Sequence, residues 1–146
     1  MKRPTRFDRE LLNSATRFHG HLGPYLVLGI RMGLLANKIL KPNGLHDLSA
    51  TVYTGQSPPE SCLLDGIQLT SGCTIGNGNL RVKNAFQLRA RFRKGNRSLL
   101  LKPTGATARL LHSVSGRSEH EIEALAVSLG EIPERSLFVV KQDTCR

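Results

Sequence analysis

The chain has 146 residues, of which 39% are hydrophobic and 22% charged, a composition that suits one folded domain and excludes a disordered segment. The 21 Lys and Arg outnumber the 11 Asp and Glu, and the net charge of +10 fits either an acidic partner (an acidic protein, an anionic small ligand or, with less support, nucleic acid) or an ordinary solvated basic surface. Three cysteines, Cys62, Cys73 and Cys145, and no apolar run behind the charged start point to reduced thiols in a cytoplasm rather than to a secreted disulfide framework.

Thr5 and Asp8 open a first helix whose apolar face is Phe7, Leu11, Ala15 and Phe18, with Gly20 as the residue that ends it. Pro24 suits the first turn of a second helix, running to about Leu40 and apolar nearly all round. That stretch falls short of the roughly 20 residues of a membrane span and carries Arg31 at its centre, so it reads as a buried helix. Gly29 and Gly33 would let a neighbouring backbone come close. A helix this apolar also suggests a second copy covering it in a two-fold dimer. Lys41–Gly44 is a turn, and Ser49–Tyr53 a short strand.

Ser57-Pro58-Pro59-Glu60 reads as a helix start, with Ser57 as N-cap and Glu60 closing a capping box; the helix carries Cys62, Asp65, Ile67 and Leu69. A glycine-rich loop, Gly72–Asn79, follows it. From Phe86 to Phe92 the pattern alternates, with Phe86, Leu88, Ala90 and Phe92 on one side and Gln87, Arg89, Arg91 and Arg93 on the other. Lys94-Gly95-Asn96 turns the chain into a returning strand, Ser98–Lys102. Two helices come next, Ala106–Val114 and one capped by Ser118 and Glu121, and then a strand over Ser136–Val140. With a hairpin in the middle and no regular alternation of helix and strand, the fold class is α+β, a single domain of helices on a mostly antiparallel sheet.

Three features carry chemistry. His19-Gly20-His21 places two imidazoles at the corner between the first two helices, where they are candidate metal ligands or simply a capped, polar corner. Cys62 lies early in its helix, where the dipole lowers a thiol pKa, and Asp65 shares its face; Cys73 starts the glycine loop. Both cysteines are equally compatible with small buried core residues. The loop, with Thr74, Asn77 and Asn79, has the glycines to turn its N–H groups toward an anion, or it is an ordinary turn.

Together these residues resemble a family. His19, Gly20, His21, Pro24, Gly29 and Arg31, followed by Cys62, Asp65, Gly66, Ile67, Gln68, Gly72, Cys73, Thr74, Gly76, Gly78 and Asn79, are similar to the motifs of FmdE, a component of formylmethanofuran dehydrogenase. The resemblance covers about residues 10 to 140. It implies an α+β core, a groove shared by the His-Gly-His corner and the cysteine segment, a metal or small-ligand role, and often a dimer. Many members carry cysteine where this chain has Gly23, and often lysine where it has Asn77.

The expected function is a metal- or cofactor-binding accessory protein of a redox enzyme. His19, His21, Cys62 and Cys73 are the candidate ligands, and Zn²⁺ suits that donor set. Asp65 is the candidate orienting group or base, and Thr74, Asn77 and Asn79 the candidate cofactor contacts. His19, at the end of a helix, is expected to cap rather than ligate. The rival is a module that docks nucleic acid or an acidic protein on the basic hairpin.

Overall fold

Asp8 caps α1 (Arg9–His19) by accepting the Leu11 N–H at 2.8 Å, and Gly20 ends the helix in the left-handed region at φ 102°. The structure is a computed structural model that describes residues 2–145. Pro24 opens α2 (Pro24–Leu40), and β1 (Ser49–Thr54) follows. A 3-10 turn over Glu60–Cys62 leads into α3 (Leu63–Ser71) and then β2 (Leu80–Asn84). The hairpin is β3 (Arg89–Lys94) and β4 (Arg97–Pro103); α4 (Gly105–His112), α5 (Glu119–Leu129), the single turn α6 (Glu134–Leu137) and β5 (Phe138–Thr144) complete the chain.

The strands form one sheet in the order β2-β1-β3-β4-β5, with β1 and β2 parallel and the other neighbours antiparallel. The fold class is α+β, as expected. Ala50, Val52, Ala90, Phe92, Leu99 and Leu101 point from the sheet into the core and are almost wholly buried.

α2 lies at the centre. Leu26, Val27, Leu28, Ile30 and Met32 are fully buried, covered by α3, the sheet, α5 and α1 of the same chain. Its burial therefore needs no second copy, and the apolar helix is no argument for a dimer. No described helix is long and apolar enough to cross a membrane.

The contact between α2 and α3 is made backbone to backbone. A Cβ on Gly29 would overlap the Leu63 carbonyl, one on Gly66 would meet the Leu26 carbonyl and Ile30 nitrogen, and one on Gly33 would collide with the Thr70 hydroxyl. Arg31, the charge inside the apolar helix, is 8% exposed, and its Nη1 donates to the Leu129 and Gly130 carbonyls at 2.9 and 3.0 Å. It thus satisfies carbonyls that the end of α5 leaves without helical partners.

The other face of the sheet is open and basic. Arg81, Lys83, Arg91, Arg93, Lys102 and Lys141 are exposed on it. None of them has a carboxylate within ion-pair distance, since the three ion pairs among the described residues lie elsewhere. Arg89 is half-buried and stacks on Tyr53, its guanidinium carbon 4.0 Å from the ring centre, with the Lys83 ammonium 5.9 Å away. That ring is therefore not free to stack a base. Lys94 and Arg97, at the hairpin turn, instead serve the end of α2, donating to the carbonyls of Lys41 at 2.7 Å and Ile39 at 3.1 Å.

Several elements differ from the sequence reading. The helix after Ser57 starts late: Pro58 and Pro59 have no N–H to give, and the first turn closes through Ser61 N–H to Ser57 O and Cys62 N–H to Pro59 O. No side chain caps this turn, and Glu60 closes no capping box. Phe86 does not face the core with Leu88, Ala90 and Phe92; the strand begins only at Arg89, and Phe86 is fully exposed. Phe18 is 58% exposed, so only Ala15 of the expected α1 face is fully buried. The last strand begins at Phe138, after a helical turn occupies Glu134–Leu137. β2 was not expected at all.

Two stability outcomes follow from this packing. Gly66→Ala should cost about 3 kcal/mol or prevent folding, because backbone on both sides must move apart. Arg91→Gln combined with Arg93→Gln should stay within about 1 kcal/mol of the parent, because neither side chain has a partner to lose. Chemical denaturation measures both, and a large loss in the arginine variant would reveal internal pairing.

Candidate functional site

The corner expected from His-Gly-His forms because Gly20 takes a left-handed conformation that few side chains tolerate, turning α1 toward α2. His19, with its side chain 12% exposed, places Nδ1 2.6 Å from Oδ2 of Asp65, which sits in the first turn of α3. An ionised carboxylate only accepts, so Nδ1 is a nitrogen that carries a proton, and the tautomer with this bond has its lone pair on Nε2. The other Asp65 oxygen accepts from Gln68 Nε2 at 3.3 Å, and Gln68 Oε1 accepts the Ile75 N–H at 3.2 Å. Gln68 thereby ties the His19–Asp65 pair to the glycine-rich loop. It is the site residue to which the sequence reading gave no role, although it lies one helical turn after Asp65.

His21 is exposed, with its ring centre 4.9 Å from that of His19. Its Nε2 lies over Gly23, where a Cβ would stand 3.1 Å from that nitrogen. A side chain at position 23 would thus stand against His21.

The two cysteines are not alike. Cys62 is the last residue of the 3-10 turn and the N-cap position of α3, buried at 9% exposure. Its thiol is pushed up from the ordinary range, first by burial and then by the carboxylates of Asp65 and Glu60. This reverses the expected lowering: loss of solvent and two nearby anions outweigh the pull of the helix end. Cys73 is wholly buried, and its Sγ donates to the Leu48 carbonyl at 3.3 Å. Burial pushes its thiol up as well. Among the described residues no three His, Cys, Asp or Glu side chains stand where they could share one metal ion, so the structure does not gather His19, His21, Cys62 and Cys73 into a closed set.

The loop residues hold the loop itself. Asn77 Oδ1 accepts the N–H groups of Thr74 and Asn79, each at 3.0 Å, and its Nδ2 donates to the Gly72 carbonyl at 2.7 Å. Thr74 Oγ1 accepts the Asn77 N–H at 3.0 Å, and Asn79 Nδ2 reaches the Leu45 carbonyl at 2.7 Å. With Ile75 N–H given to Gln68 and Gly78 N–H to the Ile75 carbonyl, the donors of an anion nest are largely committed inside the chain.

Both buried thiols stay neutral above the pH of about 8.5 at which an unfolded cysteine ionises. Their contribution to stability is complete below that pH and is lost as pH rises toward the raised folded values, because the unfolded chain then releases protons that the folded chain keeps. The urea midpoint should fall as pH rises from about 8.5 toward 10, and fall less when Cys62→Ser and Cys73→Ala are combined. A flat wild-type midpoint over that range would mean that the folded thiols ionise freely.

The geometry can be set beside known proteins. A solved structure of a tungsten formylmethanofuran dehydrogenase FmdE-like protein from Syntrophus aciditrophicus superposes with a TM-score of 0.63, covering 100% of this chain and 78% of that one at 17% identity, and so shares the fold. A curated relative from Archaeoglobus fulgidus, described as a probable S-adenosyl-L-methionine-binding protein, is 37% identical over 75 residues. That match covers 48% of this chain and only 19% of the relative. The family model described as FmdE, molybdenum formylmethanofuran dehydrogenase operon, matches residues 18–139, from the residue before His19 into the last strand, and the chain belongs to that family.

Proposed function

We propose that this chain is an accessory protein of the formylmethanofuran dehydrogenase type that binds a divalent metal, zinc by the chemistry of its donors, at the His19–His21 corner. The observation that carries the reading is the 2.6 Å hydrogen bond from His19 Nδ1 to Asp65. An imidazole whose one nitrogen is held by a carboxylate presents the other in a defined direction, as metal-ligating histidines commonly do. His19 is therefore read as a ligand through Nε2, not as a cap, with Asp65 as its orienting group. His21, its ring centre 4.9 Å from that of His19, is the second ligand, and among the described residues no third side chain of a ligating type joins them.

Cys73 has a place as a core residue and donates to Leu48, so it is left out of the ligand set. Two imidazole donors leave the remaining coordination positions to water or a substrate oxygen, toward which a bound zinc would act as a Lewis acid. The rest is the chain's own work: Asp65 fixes the proton on His19, and Gln68 holds Asp65 and the loop together.

Elemental analysis of protein purified without a polyhistidine tag, with thiols reduced, tests the reading. Near-stoichiometric zinc is expected, lost in His19→Ala and His21→Ala and retained in Cys73→Ala. Asp65→Asn should weaken affinity by about 10- to 100-fold, the usual effect of removing a ligand's orienting partner. Gly23→Cys, which adds a thiol beside His21 Nε2, should raise it. Wild-type protein that takes up no zinc after reconstitution would end the metal reading.

A further inference from the structure

A cleft of about 600 Å³ opens at the end of the sheet, between the start of α2, the segment before β3, the end of β4, and α4. None of His19, His21, Cys62 or Asp65 lines it. We propose that it binds a small organic anion carrying a planar ring.

Four observations lead there. The volume falls within the roughly 300–1,000 Å³ of small-molecule sites. Phe86 lines the cleft with its whole ring in water, where a single chain gains nothing from an aromatic side chain, and Leu88 and Pro103 add apolar wall. A flat ring laid on Phe86 would remove that surface from water. Lys102, Arg89 and His112 supply the cationic and imidazole lining, and Lys102 has no ion-pair partner among the described residues. The only carboxylate in the described lining is Glu60, close enough to the Tyr25 phenol to help burial push its pKa up.

The lining thus divides by chemistry. Lys102 and Arg89 suit a sulfonate, phosphate or carboxylate. Glu60 suits a hydroxyl or amine on the ligand and opposes a second negative charge there. Arg89 and Lys102 also belong to the open basic face of the sheet, where Arg81, Lys83, Arg91 and Lys141 add uncompensated positive charge. That field raises the local concentration of anions at the mouth of the cleft and fades with salt.

The test uses anilinonaphthalene sulfonate, a planar-ring anion whose fluorescence reports binding, and its uncharged parent phenylnaphthylamine. Phe86 and Lys102 are exposed, so Phe86→Ala and Lys102→Gln should fold, which thermal melts would check. Each substitution should weaken sulfonate binding about tenfold or more, and the uncharged compound should bind at least about tenfold more weakly than the sulfonate. Arg91→Gln, on the same face but outside the cleft, should change affinity less than about twofold at physiological salt. His21→Ala should also leave it unchanged, which separates this site from the proposed metal site. Sulfonate binding that is absent, that survives both Phe86→Ala and Lys102→Gln, or that the uncharged compound matches would overturn the proposal.

Discussion

The fold depends on one close approach, that of α2 to α3. Gly29 and Gly33 on one helix and Gly66 on the other remove the side chains that would hold the two backbones apart. Helices usually pack with 8–10 Å between their axes, at a spacing set by the side chains at the contact. Glycine at the crossing brings α3 in until backbone meets backbone. Asp65 is the neighbour of Gly66, so the same contact that builds the core delivers a carboxylate to the end of α1. Site and core therefore share one determinant, and a substitution that spreads the helices would loosen both.

The corner and the thiols divide their roles by exposure. His19 and Asp65 are partly open and hydrogen-bonded to each other, an arrangement that keeps one imidazole nitrogen available. Cys73 is closed inside the core with its proton given to a carbonyl, as a small apolar residue with a weak donor. Cys62 stands between these cases: it is buried, yet within electrostatic reach of Asp65 and Glu60. Gln68 joins the corner to the loop, so the long motif works as one hydrogen-bonded unit, in which Asn77 and Thr74 shape the turn and Gln68 passes its position to Asp65.

Charge is distributed as unevenly as the apolar residues. The helices cover one face of the sheet, and the basic residues collect on the other. Two copies of this face would repel each other, so it does not suit a two-fold contact with itself. Its Tyr53 ring is occupied by Arg89, so that ring is not open to stack a base. What remains is a positive field beside a cleft of molecular size.

Much of this was legible in the residues. Asp8, Pro24, Gly20 and the Ser118–Glu121 pair act within a few residues of themselves, so the ends of α1, the start of α2 and the start of α5 follow from sequence. The alternation of Ala90 and Phe92 with Arg91 and Arg93 set the two faces of the hairpin, and the density of apolar residues from Pro24 to Leu40 marked the central helix. Tertiary structure decided the rest, because the deciding partners are distant in the chain. β2 has too few apolar residues to announce itself and exists by parallel pairing with β1. Phe86 fits the alternating pattern, but the ladder that would turn it inward starts three residues later. Whether a helix end lowers the Cys62 pKa depends on burial and on carboxylates that sequence cannot place. The choice between His19 as a cap and His19 as an oriented imidazole rests on an aspartate 46 residues away. Local hydrogen bonds and periodicity are written in the sequence; solvent exclusion and long-range partners exist only once the chain has folded.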